Sequence, residues 1–198
     1  MKTESKQQTN ISEERDTLWI IDQAHTNIRF FAKHLIISKI AGIFKSFEGK
    51  VKTVGNDFST GEIEFKAEVK SLDTGKKERD THLLSEDFFK ASKYPQIHFI
   101  STSIRKINSK EFEVEGDLTI KDVKKNITVN VRLGGIAIDP SGQERAGFSM
   151  SAWVNRFDFG LNWNNVMDTG GAIVGEKIDI ECDVEVVRQN EHLSKNWN

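Results

Sequence analysis

Hydrophobic and polar residues alternate along much of the chain. In "EIEFKAEVK", residues 62–70, Ile63, Phe65, Ala67 and Val69 fall on one side, and Glu62, Glu64, Lys66, Glu68 and Lys70 fall on the other. A period of two puts successive side chains on opposite faces of an extended strand, which no helix does. "EFEVEGDLTIK" repeats the pattern with Phe112, Val114, Gly116, Leu118 and Ile120 on the apolar side. "KIDIECDVEVV" does so with Ile178, Ile180, Cys182, Val184 and Val186, against an almost wholly acidic outer set. Weaker versions run through "NITVNVRLGG" and "GFSMSAWV". With "WIIDQAHTNIRFFA", "GIFKSFEGKVKTV" and "QIHFISTSIRKI", the pattern predicts about eight strands.

Turn-forming residues separate these runs: "NSK" at 108–110, "KDVKKN" at 121–126 and "DPSGQ" at 139–143. Short connections favour antiparallel neighbours. Helical signal is confined to a turn or two within 76–91 and near 34–39, too little to cover an apolar sheet face. Closing the sheet on itself covers that face and removes the exposed edges. The expected fold is therefore all-β, an antiparallel β-barrel of about eight strands with short helical segments in its loops. A barrel of that size is either filled by its own side chains or holds one small ligand.

Composition narrows the function. The 198 residues suffice for one domain with a real core. Residues 1–17 and 189–198 read as polar tails and 18–188 as the folded body. With 28 Lys plus Arg against 30 Asp plus Glu, the net charge is -2 and no basic run tracks a phosphate backbone. Nucleic acid is not an expected partner. Cys182 stands alone, so the fold has no internal disulfide. The polar start "MKTESKQQTNISEERD" lacks the apolar core of a signal peptide, and no stretch approaches the roughly 20 apolar residues of a membrane-spanning helix. The expectation is a cytoplasmic chain without stable membrane insertion. A homodimer through loops or edges stays open.

Six stretches carry a family resemblance: "WIIDQAHTNIRFFAKH" at 19–34, "GIFKSFEG" at 42–49, "LDTGKKERDTHLLSEDFF" at 72–89, "YPQIHFIS" at 94–101, "GDLTIKDVKKNITV" at 116–129 and "NRFDFG" at 155–160. In this order and spacing the chain resembles the YceI-like, polyisoprenoid-binding proteins. The resemblance implies an extended, lipocalin-like barrel enclosing an apolar tunnel, occupied by an isoprenoid quinone, a polyprenyl phosphate or a similar long-chain lipid. It implies no enzymatic activity and no cofactor beyond that lipid. Many members of the family carry a secretory signal and work in the periplasm, where this chain departs from them.

The candidate ligand contacts follow. Phe65, Phe99, Phe112, Phe148 and Phe157 are candidate tunnel walls through the resemblance; read from the residues alone, they fill an ordinary core. In "RDTHLLSEDFF", Arg79, Asp80 and His82 lie in a connection between strands, where a barrel mouth presents polar groups. Arg79 and His82 either bond a pyrophosphate or quinone oxygen or pin the loop; Asp80 either joins them or caps a short helix, a role open to Ser85 as well. Phe88 and Phe89 would roof the entrance, while His25 and His34 are further candidates for it. His98, between Ile97 and Phe99, is expected to face outward. The histidines at 25, 34, 82, 98 and 192 have no metal-site spacing. Cys182, on an apolar face, reads as inert packing. Asp80 and His82 as an acid–base pair acting on a lipid head group is the enzymatic alternative, for which no nucleophile motif is present. "NRFDFGLNWNN" reads either as a corner sealing one barrel end or as cavity lining.

Overall fold

The computed structural model describes residues 16–35, 37–164 and 174–189. Most of each polar tail, 1–15 and 190–198, lies outside the described residues. At the N-terminal boundary the fold begins earlier than residue 18: strand β1 is Asp16–Ile21, and Thr17 within it is buried.

The strands that follow are β2 (Asn27–His34), β3 (Ser38–Phe44), β4 (Phe47–Val54), β5 (Asp57–Glu68), β6 (Leu72–Asp73), β7 (Gln96–Lys106), β8 (Glu111–Ile120), β9 (Val123–Ile138), β10 (Glu144–Asn155) and β11 (Val174–Arg188). One helix, α1, spans Lys77–Leu84. Eight strands form a closed antiparallel circuit in the order β1-β4-β5-β7-β8-β9-β10-β11, with β11 returning to β1. Closure is made by Trp19 opposite Arg188, Ile20 opposite Val187 and Ile21 opposite Val186.

Two runs expected as single strands are each broken in two. "WIIDQAHTNIRFFA" turns at Gln23–His25, because Asp22 caps a short 3-10 helix by accepting from the Ala24 backbone N–H. The C-terminal half of β11 therefore pairs with β1, and its N-terminal half with β2. "GIFKSFEGKVKTV" breaks likewise at Lys45 and Ser46, leaving β3 beside β2 and β4 beside β1. Helix expected near 34–39 is not found: His34 pairs with Ser38 and Lys33 with Lys39 as a β2–β3 hairpin, with Leu35 in the left-handed region at φ 52°.

The apolar faces point inward, and the core lies in two layers along the barrel axis. Around one end Trp19, Phe58, Phe148 and Val186 pack together, with Trp19 Nε1 donating to Thr53 Oγ1 at 3.1 Å. Around the α1 end Phe88, Ala91, Phe159 and Leu161 cluster. The twelve-residue β10 runs the height of the barrel. At about 3.3 Å per residue and a tilt of about 40°, that height is roughly 30 Å.

Candidate functional site

Between the two core layers the barrel is hollow, with a continuous cavity of about 1030 Å³. This is at the upper end of the roughly 300–1,000 Å³ of ordinary small-molecule sites. Its floor is aromatic: Phe58 lies 5.2 Å from Trp19 and meets Phe148 edge-on at 4.9 Å. Phe65, Phe99, Phe112 and Phe148 all line the cavity, as do Phe30, Phe58 and Phe159, which sequence reasoning did not single out. Phe157 does not line it; its ring instead lies under the Arg156 guanidinium at 4.4 Å. In this corner a 3-10 helix, Arg156–Phe159, shifts the side-chain period away from two, so Phe159 takes the inward position.

The cavity opens beside α1, where exposed Lys76 and Glu78 border it. Here Arg79, His82, Phe88 and Phe89 all reach the lining. His82 is flanked by rings, 5.2 Å from Phe88 and 4.6 Å from Trp163, both edge-on. Its Nε2 lies 3.2 Å from Asp87 Oδ2, an anchor that orients the imidazole. His34 closes the inward series Ile28, Phe30 and Ala32 on β2; it lines the cavity, and its buried Nδ1 has no hydrogen-bond partner among the described residues.

Asp80 does not line the cavity, and it is not paired with His82. Its Oδ1 accepts from the Thr74 N–H at 2.9 Å and the Thr74 hydroxyl at 2.5 Å. Arg79 completes the same knot, donating from Nε to Thr74 Oγ1 and from Nη2 to the Thr74 carbonyl, both at 2.7 Å. Both residues thus hold the start of α1 against the strand end, and Arg79 does so while bordering the cavity. Ser85 closes the helix, donating to the His82 carbonyl at 2.7 Å.

Arg156 is the polar residue that sequence reasoning missed. Fully enclosed and touching the cavity, it donates to the carbonyls of Leu161, Trp163, Val174 and Gly175. Burial pushes its pKa below the usual arginine value. No carboxylate accepts a hydrogen bond from it among the described residues. Its signal in the sequence was faint: one arginine in a corner of aromatic and amide residues.

Three further charged residues, Arg29, Lys50 and Glu64, border the cavity from outward positions. They pair outside the wall, Arg29 with Asp183 at 2.6 Å and Lys50 with Glu64 at 2.8 Å. Cys182 faces inward, and burial pushes its thiol up to about 11, which keeps it protonated.

His25 lies at the opposite end of the barrel, outside the cavity lining, with its side chain 61% exposed. Its Nδ1 is 2.9 Å from Asp22 Oδ2, and these two with Glu185 bring three possible metal-binding atoms within 4.8 Å of one another. Arg145 already occupies the centre of this group. Its Nη1 lies 2.6 Å from both Asp22 Oδ2 and Glu185 Oε1, and its Nε lies 2.6 Å from Asp139 Oδ2. A guanidinium there satisfies the carboxylates that a cation would need.

A closed antiparallel barrel with an apolar lumen agrees with one family model, described as YceI-like domain, which matches residues 19–186. The chain belongs to the YceI-like family. UPF0312 proteins of Staphylococcus aureus and Staphylococcus epidermidis are 34% identical to it over 170 residues, which is 85% of this chain and 96% of theirs. Among solved structures it is similar to Burkholderia cenocepacia BcnA, with TM-score 0.73 and 25% identity over 83% of this chain and 98% of that one. It is also similar to the Campylobacter jejuni YceI protein, with TM-score 0.70 and 29% identity over 80% and 90%. A polyisoprenoid binding domain from Saccharophagus degradans shares the fold, with TM-score 0.61 at 11% identity over 86% and 98%. In this YceI-like chain the string "RDTHLLSEDFF" lies at the opening of the lumen, and "GIFKSFEG" contributes Phe44 to its wall.

Proposed function

We propose that this protein binds and holds a long-chain isoprenoid, such as a quinone or polyprenyl phosphate, or a similar amphiphile, without transforming it. The tail lies in the lumen towards Phe58 and Phe148, and the head group lies at the α1 end near His82, His34 and Arg156. The observation that carries this reading is the asymmetry of the cavity. Its inward wall is apolar over most of its length, and the inward polar groups gather beside the opening.

The energetics agree. Each methylene moved from water into an apolar lumen contributes about 0.8 kcal/mol. A five-carbon isoprene unit thus supplies on the order of 3–4 kcal/mol before ordering costs, and a lumen of about 1030 Å³ accommodates several. At the head end, His34 Nδ1 is buried with no partner among the described residues, a state that costs about 1–3 kcal/mol unless a ligand atom relieves it. The enzymatic alternative starts from an Asp80–His82 pair, and these residues are committed elsewhere, Asp80 to Thr74 and His82 to Asp87.

The test is organic extraction of the purified protein alongside native mass spectrometry. A co-purifying prenyl lipid, or a raised melting temperature on loading with a quinone or polyprenyl phosphate, is the expected result. Absence of both rejects the reading.

A further inference from the structure

The rim of the opening combines features that the lumen does not require. At the tip of the β2–β3 hairpin Ile37 is 85% exposed, although the residues on either side, His34 and Ile40, line the cavity. Across the hairpin Lys33 stands directly opposite Lys39. Like charges in such a pair repel, and only Lys39 has a carboxylate partner, Asp179 at 3.4 Å. The neighbouring edge continues the charge. β6 pairs with β3 through Ile43 opposite Asp73, so the chain leaving β6 runs back along β3 towards the hairpin tip. That stretch presents Lys76 and Lys77, with Lys70 and Lys45 close by around a shallow groove. Asp73 is taken by Lys45 and Asp80 by Thr74, while Lys33, Lys70, Lys76 and Lys77 form no ion pair among the described residues. Of the exposed acids at this end, Asp87 is taken by His82 and Glu86 by Lys90, which leaves Glu78 and Glu176 against the four lysines.

We propose that this rim docks on an anionic lipid bilayer. The hairpin tip, led by Ile37, enters the interfacial region, and the lysines lie over the head groups. An exposed apolar tip flanked by lysines is suited to that boundary, where the alkyl group leaves water and the ammonium groups meet anionic phosphate. Docking there sets the cavity opening against the membrane, so that a hydrocarbon tail passes between bilayer and lumen without crossing water. The inference rests on the lumen holding a lipid, as proposed above. It adds the surface from which that lipid comes.

The test is co-sedimentation of the full-length protein with phosphatidylcholine vesicles, with and without phosphatidylglycerol, at low and high salt. Binding only to the anionic vesicles, weakened roughly tenfold or more by salt, by Ile37→Glu and by Lys76→Glu with Lys77→Glu, is expected. These side chains are exposed, so the variants should keep the parent melting temperature. Failure to bind either vesicle, equal binding to both, or indifference to these changes overturns the proposal. Loading from a detergent-dispersed polyprenol, with no vesicle present, is read in parallel. Loading without vesicle binding rejects docking and leaves the lumen reading standing, whereas docking as expected without loading from any source supports the surface and rejects the lumen.

Discussion

The ring of Phe99 occupies the space above Gly116 that a side chain there would fill. A methyl group on Gly116 would overlap that ring and come within 2.7 Å of the Ile100 carbonyl oxygen. The pairing of Phe30 with Gly42 across β2 and β3 has the same form, but there the three nearest atoms all belong to the ring of Phe30. In both cases a glycine lets a phenylalanine lie down against the wall, and the lumen stays open.

The two glycines should respond differently to alanine. At Gly116 the obstruction includes backbone, so Gly116→Ala should cost about 1–3 kcal/mol in urea unfolding. At Gly42 the ring is free to swing inward, so Gly42→Ala should cost less stability and more ligand capacity. Equal effects of the two on stability would contradict this geometry.

Ala152 lines the cavity on β10 opposite Ile180. Ala152→Trp should fill the bore with the body of an indole and lower prenyl lipid binding by tenfold or more. Melting temperature should hold or rise, because an internal void is filled. Calorimetric titration with a solubilised quinone, beside a thermal melt, checks both.

Arg156 ties Leu161 and Trp163 to Val174 and Gly175 through their carbonyls. Arg156→Met should remove about 3 kcal/mol or more, since hydrogen bonds to a charged donor are each worth about 1.5–3 kcal/mol. Arg156→Lys should recover little of it, because one ammonium cannot span the planar fork of contacts. Chemical denaturation of the three proteins decides this.

The Arg145 cluster at the closed end should make stability depend on pH. Asp22 is held down to about 2 from 3.8, first by the hydrogen bond from Arg145 and then by that from His25. Its contribution is fully present above about 4 and lost as pH falls through about 2. His25 is raised above 6.5, chiefly by its hydrogen bond to Asp22, so its contribution is full below that value and lost as pH rises through the raised one. The melting-temperature gap between the parent and Asp22→Asn should therefore be widest between about pH 4 and 6.5 and narrow on both sides. A gap independent of pH would show that these groups are not coupled.

The candidate site was partly legible. Phe65, Phe99, Phe112 and Phe148 lie on strands, where a period of two fixes the face, and all line the lumen. Phe157, at the same spacing in the sequence, falls on a 3-10 turn and leaves the series to Phe159. For Asp80, Arg79 and His82 the sequence placed the loop but not the partners. A hydrogen bond to Thr74 or Asp87 depends on helix phase and rotamer, neither of which alternation encodes.

Alternating residues and turn chemistry by themselves determined the strand character of most of the chain and its antiparallel pairing, because each is set by near neighbours, and the scarcity of helix left closure as the way to cover the apolar face. Only the tertiary structure decided that β11 is shared between β1 and β2, that Arg156 turns inward while His25 stands at the far end, and that the barrel is hollow. A cavity is the difference between the volume that the wall encloses and the volume that its side chains fill. That difference depends on barrel radius and on rings laid flat over Gly42 and Gly116, which no single stretch of chain specifies.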